Sequence, residues 1–262
     1  METGFHLAKW YFDCISDDGS FGICYSVLLQ WKKFTLHYTS VLQGGAKNAP
    51  HSSTSFLPTI NPLLNNNRME WSCKDLDADG TWKRKFDPIK RTLLENEQGS
   101  IHWSCLMPGA DATIRIENNI VSGSGYVEFL EMTIPPWKLP IDELRWGRFL
   151  SQTDAVVWID WRGSHPLRLV SHNGKMIECP TLDDSTIQSQ NDQWSLSLNR
   201  STVIRSGPII KTALKKIPGI EMIFPKNILH TEECKWLSLG SLCSGDHQLS
   251  NGFAIHENVR FK

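Results

Sequence analysis

Short runs of strand-forming residues, separated by turn clusters, constrain the fold of this chain more than any other feature. Residues 10–15 and 21–29 are rich in aromatic and β-branched side chains, and the turn cluster Ser16-Asp17-Asp18-Gly19 lies between them. This pattern is typical of a β-hairpin. Further runs of the same kind lie at 34–41, 69–74, 81–86, 101–106, 112–116, 126–133, 145–150, 155–161, 167–171, 194–199, 221–224, 236–239 and 253–261.

The spacing of these runs predicts an all-β protein, because short strands with turns about every 8 to 12 residues are typical of barrels and sandwiches. The polar, proline-containing stretch 46–67 is expected to be a long loop. Asp75, Asp77, Asp79 and Gly80 begin like a calcium-binding EF-hand loop, but the twelfth position is Phe86 and the flanks are strand-like. We therefore expect a hairpin turn at this place and no metal site.

Charge and tryptophan content narrow the class of partner. With 27 Lys+Arg against 28 Asp+Glu, the formal net charge is −1. A nucleic-acid partner is not expected, because neutralising phosphates needs a basic surface. The chain also has 11 tryptophans, which either fill a thick β core or line a pocket for an apolar guest. Both readings stay open at this stage.

The sequence also bears on compartment and cofactors. Its first residues lack the basic start and apolar stretch of a secretory signal, and no run of about 18 apolar residues is present. We therefore expect a cytoplasmic protein. Its 7 cysteines are widely spaced and are expected to be reduced thiols. The sequence has no Gly-rich phosphate loop and no nucleophile elbow, so neither a nucleotide cofactor nor a metal is predicted.

A candidate acid lies in the run Gly125 to Glu131. Strand alternation places Tyr126 and Glu128 on one face and Glu131 on the other. A Glu that points into an aromatic interior is desolvated, which disfavours its charged form and suits it to proton donation. Glu128 or Glu131 could be that residue. An ion pair with an arginine such as Arg145 or Arg148 is the structural alternative.

Two adjacent runs pair large aromatic side chains with single charges. Trp146 and Arg148 share one strand face, as do Trp158 and Asp160. If the two strands are neighbours, an Arg148–Asp160 pair bordered by indoles is possible, although such a pair commonly just satisfies a protein core.

The last strand-like run carries a second titratable pair. Alternation places His256 and Glu257 on opposite faces of this strand. His256 is either a structural hydrogen-bonding group or a catalytic one. The sequence leaves both readings open.

The order of these motifs resembles the carotenoid 1,2-hydratase (hydroxyneurosporene synthase) family, whose lipocalin-like superfamily includes fungal Diels–Alderases. The resemblance implies two lipocalin-like antiparallel β-barrel halves packed together, here expected at 1–122 and 123–262, with an apolar guest in or between them. The motifs that carry it are Trp10-Tyr11-Phe12-Asp13, Asp17-Asp18-Gly19, Pro108-Gly109-Ala110-Asp111-Ala112, Gly125-Tyr126-x-Glu128, Trp146-Gly147-Arg148-Phe149, Asp160 and His256-Glu257.

The resemblance also implies a function: Glu128 protonates an alkene of an isoprenoid or polyene, and indole faces stabilise the carbocation. The product is a cyclised or hydrated terpenoid. The family usually has Asp at this position, followed by polar residues, whereas Phe129 and Leu130 follow Glu128 here, so a drier pocket and cyclisation are favoured. The expected catalytic residues are Glu128, Tyr126, Asp160 and His256, and the expected substrate-binding residues are Trp10, Trp103, Trp146, Arg148, Trp158 and Glu257, the last also a reserve acid.

Two other classes of function remain as alternatives: a pericyclase that folds a polyene into a reactive shape, and a binding protein that leaves its apolar ligand unchanged. In each case the expected partner is an apolar small molecule, and peripheral contact with a membrane would supply it. The sequence leaves the oligomeric state open.

Overall fold

A computed structural model of the chain describes residues 4–45, 48–178, 181–189, 194–212, 215–217, 219, 224–245 and 247–261. It is 70% strand and 5% helix, arranged as two antiparallel sheets that form curled half-barrels of a lipocalin-like all-β fold. The predicted fold class is thus confirmed. No helix among the described residues is long and apolar enough to cross a membrane.

Two compact units divide the chain, an N-terminal unit of Met1–Pro135 and a C-terminal unit of Pro136–Lys262. The boundary expected after residue 122 falls inside a strand, β10, which belongs wholly to the N-terminal unit. A strand whose backbone hydrogen bonds lie in one sheet cannot be divided between two units without losing them. The division therefore falls in the proline-containing connection that follows β10.

Strands account for most of both units. The N-terminal unit has β1 Phe5–Ile15, β2 Phe21–Trp31, β3 Phe34–Gly45, β4 Asn48–Ser55, β5 Leu63–Asn65, β6 Arg68–Cys73, β7 Ala78–Arg84, β8 Ile89–Asn96, β9 Gly99–Ile116 and β10 Asn119–Met132. The C-terminal unit has β11 Glu143–Leu150, β12 Ala155–Arg162, β13 Leu167–His172, β14 Lys175–Ile177, β15 Thr181–Leu182, β16 Thr186–Gln188, β17 Ser195–Pro208, β18 Glu232–Ser244 and β19 His247–Arg260. One α-helical turn, α1 (Lys226–Leu229), and the 3₁₀ turns Lys74–Leu76, Pro136–Lys138 and Ile209–Lys211 complete the described elements.

Both sheets follow the same path through space. The strand order is β4-β3-β2-β1-β10-β9-β7-β6-β5 in the N-terminal sheet, with β8 also paired to β9, and β14-β13-β12-β11-β19-β18-β17-β16-β15 in the C-terminal sheet. In each, four strands meander to one edge, the chain crosses to the far edge, and the last strand returns to pair with the first. One architectural unit is therefore used twice in this chain.

Each sheet has a face that carries an apolar cluster. In the N-terminal unit this cluster includes Phe12, Trp71, Trp82 and Val127, and in the C-terminal unit it includes Phe149, Trp158, Leu196 and Ala254. Alternate residues of the same strands point to the opposite face. In both units that second face also holds buried side chains, and it carries the residues on which the site depends.

The structure differs from the strand expectations in several places, among them the strands β8, β14, β15 and β16, where the sequence analysis gave no strand run. The predicted loop 46–67 contains β4 and β5. The runs 101–106 and 112–116 form the single strand β9, in which Pro108 and Gly109 fall where the pairing with β10 changes register; a bulge accommodates a proline that cannot donate a backbone hydrogen bond. The run 221–224 lies outside the described residues except for Phe224.

The turn between β6 and β7 contains the EF-hand-like segment. Asp77 has φ 43°, in the left-handed region, and Arg115 on β9 pairs with the carboxylates of both Asp77 and Asp79. These acidic side chains thus bind a guanidinium that closes the turn. Among the residues that the structure describes, no group of three or more His, Cys, Asp or Glu side chains could hold a metal ion.

Candidate functional site

Glu128 lies on β10 with only 5% of its surface exposed. The Trp103 indole donates a hydrogen bond to its Oε2 atom at 2.7 Å, and the Tyr126 hydroxyl donates to the same oxygen at 2.8 Å. A carboxyl group held by two side chains has a fixed orientation. The structure therefore brings together three of the residues expected to act at the site.

Local sequence explains this arrangement. Tyr126 and Glu128 are two residues apart on one strand and share a face. The register irregularities between Gly125 and Glu128 place Cys105 of β9 opposite Glu128. Trp103, two residues earlier on β9, is the diagonal neighbour of Glu128, at a distance that a long aromatic side chain spans.

Tyrosines surround the carboxyl group on the same face. Tyr11 of β1 lies opposite Glu128 in the register, and its ring packs edge-on against Tyr25 and Tyr126, with centroid distances of 5.2 and 6.0 Å. Burial raises the pKa of the Tyr126 hydroxyl well above its usual value, and burial does the same to the pKa of the Cys105 thiol. Both groups are therefore neutral hydrogen-bonding groups at physiological pH.

Glu131 occupies a different environment from Glu128. Its side chain is 45% exposed and its Oε1 atom lies 2.9 Å from His6 Nε2. Of the two glutamates that strand alternation left open, Glu128 is the buried one. Trp10, expected to bind substrate, lies on the face opposite Tyr11, where its ring centroid is 4.6 Å from that of Phe129. Trp10 thus packs on the other side of the sheet from Glu128.

A second cluster of site candidates lies on one face of the C-terminal sheet. Trp146, Glu257 and Lys235 are direct neighbours on β11, β19 and β18. The Lys235 ammonium pairs with the Glu257 carboxylate and lies 5.2 Å from the centroid of the Trp146 ring. Arg148 lies on the same face, is fully buried and donates to the Phe253 carbonyl at 3.3 Å.

Lys235 is a residue that sequence reasoning missed. Only 1% of its surface is exposed, although a lysine is almost never fully buried unless it is paired. The available signal was alternation, which places Lys235 on the same face as Leu237, a buried residue.

A third group, His256, Trp158 and Asp160, lies on the opposite face of the same sheet. His256 Nε2 is 2.9 Å from Ser238 Oγ, and the imidazole stacks on Trp236 at a centroid distance of 5.2 Å. The Trp158 indole crosses Gly147 to reach His256: a Cβ atom on Gly147 would lie 2.2 Å from Trp158 Cζ2. His256 is thus packed among indoles.

Arg148 and Asp160 lie on opposite faces of the sheet, so the pair that neighbouring strands would allow does not form. β11 and β12 are neighbours, but their register places Arg145 opposite Asp160 and Val157 opposite Arg148. Arg148 is three residues from Arg145 and so points to the other face. Asp160 instead accepts from Arg162 Nε and Arg168 Nε, each at 2.9 Å.

Because both sheets follow the same strand order, the cluster around Glu128 and the cluster around Glu257 occupy equivalent positions in the two units. A Cβ atom on Gly123 would lie 2.1 Å from the Ile15 carbonyl oxygen, and one on Gly252 would lie 2.0 Å from the Leu150 carbonyl oxygen. Ile15 and Leu150 are the last residues of β1 and β11, so a glycine packs closely against the end of each of these strands. Counting along the registers from these points matches Glu128 with Glu257, Tyr11 with Trp146 and Cys105 with Lys235.

Comparison with known proteins identifies the fold. No family model and no curated protein matches this sequence. Among solved structures, kievitone hydratase from Nectria haematococca is similar with a TM-score of 0.55 and 8% identity, over 97% of this chain and 88% of that one. CghA with Sch210972 has a TM-score of 0.56 and 9% identity over 98% and 89%; a second CghA structure has 0.57 and 11% over 98% and 88%. At these identities the likeness shows a shared lipocalin-like fold.

Proposed function

We propose that this protein is an enzyme that protonates an alkene of an apolar isoprenoid or polyene substrate, with Glu128 as the proton donor. The observation that carries the proposal is the buried Glu128 carboxyl group, fixed by Trp103 and Tyr126 on a tyrosine-lined face. The shared fold with a protein named as a hydratase supports the same class of reaction.

The proposed reaction uses the proton of the Glu128 carboxyl group. Oε2 accepts hydrogen bonds from Trp103 and Tyr126, and these two donors hold the carboxyl group in one orientation. In the proton transfer, the π electrons of the alkene form a C–H bond with that proton, and a carbocation is left at the other alkene carbon. Glu128 becomes a carboxylate, and the two donors on Oε2 stabilise the negative charge as it develops.

Two fates of the carbocation conserve atoms and charge. A water molecule adds to the cation and returns a proton to Glu128, which gives hydration. Alternatively, a second alkene of the substrate attacks the cation, and loss of a proton to Glu128 gives an isomeric cyclic product. Tyrosine faces such as that of Tyr11 attract a cation, and the small exposure of Glu128 favours cyclisation because water capture needs a wet site.

A pericyclase is the competing function, and the shared fold with CghA bearing Sch210972 favours keeping it. A pericyclic reaction needs a shaped pocket and no proton from Glu128. The two functions therefore make opposite predictions for the same variant.

The test is a mass-spectrometric assay of the purified protein against a panel of polyprenyl alcohols and linear polyenes. Glu128→Gln keeps the shape of the side chain and removes its transferable proton. Glu131→Gln is the matched control, because it makes the same change on the same strand at an exposed position.

Each outcome identifies one class of function. A product heavier by one water, or an isomeric product, that Glu128→Gln abolishes and Glu131→Gln retains supports the proposal. An isomeric product that survives in Glu128→Gln supports the pericyclase, and saturable binding with no product supports a carrier. Either of these results overturns the proposal.

A further inference from the structure

Exposed large apolar side chains are concentrated in one segment of the N-terminal unit. The connection between β4 and β5 and the start of β5 present Leu57 at 57%, Ile60 at 71%, Leu63 at 65% and Leu64 at 50% exposure. We call residues 56–64 the apolar loop. Single exposed apolar residues are ordinary on a protein surface, whereas a contiguous group marks an interaction site.

The apolar loop is held in place by polar contacts at its base. Thr59 Oγ1 lies 2.9 Å from Ser26 Oγ on β2, and the Leu57 amide donates to Ser55 Oγ at 3.2 Å. These bonds tie one end of the loop to the sheet, while Leu57 and Ile60, on either side of Thr59, remain exposed.

Charge is distributed unevenly around the apolar loop. No Asp, Glu, Lys or Arg occurs from 52 to 67. Directly after this stretch, Arg68 lies opposite Lys83 in the β6–β7 pairing, and the Arg84 amide donates to the Asn67 carbonyl at 2.8 Å. Arg68 and Lys85 have carboxylate partners in Glu70 and Asp111. Lys83 and Arg84 are consecutive residues of β7, so they add one positive charge on each side of this strand.

We propose that the apolar loop inserts into the interface of an anionic lipid bilayer, with Lys83 and Arg84 at the lipid headgroups. An uncharged apolar segment beside basic residues is the combination that binds such surfaces. A protein partner fits less well, because interface hot spots are rich in Trp, Tyr and Arg and poor in leucine, whereas this loop presents Leu and Ile. The proposal does not depend on the chemistry assigned to Glu128.

The test is co-sedimentation of the full-length protein with vesicles of phosphatidylcholine alone or with about one third phosphatidylserine. The double variant Ile60→Ser, Leu63→Ser is expected to lower binding to both vesicles by about tenfold or more. Lys83→Gln with Arg84→Gln is expected to lower binding only to the anionic vesicles, by about fivefold per charge. Ile120→Ser is the matched control, since Ile120 is 67% exposed on β10, and it is expected to bind like wild type.

Three results would overturn the membrane proposal: no binding of the wild type to either vesicle, an equal loss in Ile120→Ser, or a wild-type dimer in light scattering that Ile60→Ser dissociates without any vesicle binding. Turnover of detergent-solubilised substrate is expected to be unchanged in the loop variants. Failure at the membrane can therefore be told apart from failure of the Glu128 mechanism.

Discussion

Glu128 and Glu257 occupy the same position in two copies of one β architecture, yet their surroundings differ. Glu128 accepts from the neutral indole of Trp103 and the neutral phenol of Tyr126, whereas Glu257 pairs with the Lys235 ammonium. Neutral donors on one oxygen fix the orientation of a carboxyl group without placing a formal charge beside it. An adjacent ammonium favours the carboxylate alone. The fold thus duplicates a position, and the neighbouring side chains give the two copies different electrostatic surroundings.

The largest effect that separates the two copies is expected in stability. Glu257→Gln leaves the buried Lys235 charge without its carboxylate, which costs about 3–5 kcal/mol of unfolding free energy. Glu128→Gln keeps an acceptor for both of its donors and is expected to cost about 1 kcal/mol. Urea denaturation followed by tryptophan fluorescence measures both.

A double variant provides the control for that comparison. Lys235→Met combined with Glu257→Gln removes the charge together with its partner and is expected to recover most of the lost stability. Equal losses in the two single variants would show that the Glu257 position is not the ion-paired copy.

The next effect concerns the donors on Glu128 Oε2. Trp103→Phe and Tyr126→Phe each remove one hydrogen bond to a charge that develops during reaction, worth about 1.5–3 kcal/mol, so each is expected to lower kcat by about tenfold to a hundredfold. Trp10→Phe makes the same indole change on the opposite face and is expected to leave kcat within about twofold. Comparable losses in Trp103→Phe and Trp10→Phe would mean that packing, not hydrogen bonding, carries the effect.

Strand alternation and turn chemistry were enough to predict the all-β fold, the β1–β2 hairpin and the shared face of Tyr126 and Glu128. They could not supply the register between distant strands, because a bulge near Pro108 shifts every β9 partner beyond it. The Arg148–Asp160 pair also depended on a register, here between the consecutive strands β11 and β12, because face assignments across strands require it.

The family resemblance implied two lipocalin-like halves, but the sequence does not show which positions of the two units are equivalent. Equivalent positions carry different side chains, as in the pairs Cys105 and Lys235 or Tyr11 and Trp146, so no sequence repeat marks them. What the two units share is backbone geometry, such as the close approaches at Gly123 and Gly252.

A packing difference between the units predicts a smaller effect. Gly147 is covered by the Trp158 indole, whereas the equivalent position in the N-terminal unit is Phe12. Gly147→Ala would place a Cβ atom 2.2 Å from Trp158 Cζ2, and this overpacking is expected to cost about 1–3 kcal/mol. At Gly22 the nearest atom to an added Cβ is 3.3 Å away, on the side chain of Ile114. Gly22→Ala should therefore cost less in thermal denaturation, and the reverse order would contradict the packing described.

The smallest expected effect is that the two units lose stability at opposite ends of the pH range. The C-terminal unit is expected to lose stability in acid. Burial alone would raise the pKa of Glu143 and of Asp154, but hydrogen bonds from Arg145 and Asn258 to the first, and from Thr153 and His172 to the second, lower both. A lowered pKa gives stability that is present above the unfolded-state value of about 4 and is lost as pH falls below it.

In the N-terminal unit the direction is reversed. Burial raises the pKa of Cys24, Cys105 and Tyr126, so their contribution is present below the unfolded-state values of about 8.5 to 10 and is lost as pH rises above them. Isoleucine methyl NMR resolves each unit during urea unfolding. On acidification, the C-terminal signals are expected to show unfolding at a lower urea concentration than the N-terminal signals, and in alkali this order is expected to reverse. The same order at both extremes of pH would contradict the assignment.

The most direct test of the central claim, that Glu128 delivers a proton to the substrate, is isotope incorporation. Turnover in D₂O is expected to give a product with deuterium bound to carbon, and this product is expected to disappear in Glu128→Gln and to persist in Glu131→Gln. A product formed at the wild-type rate without carbon-bound deuterium, or one still labelled in Glu128→Gln, would contradict the claim.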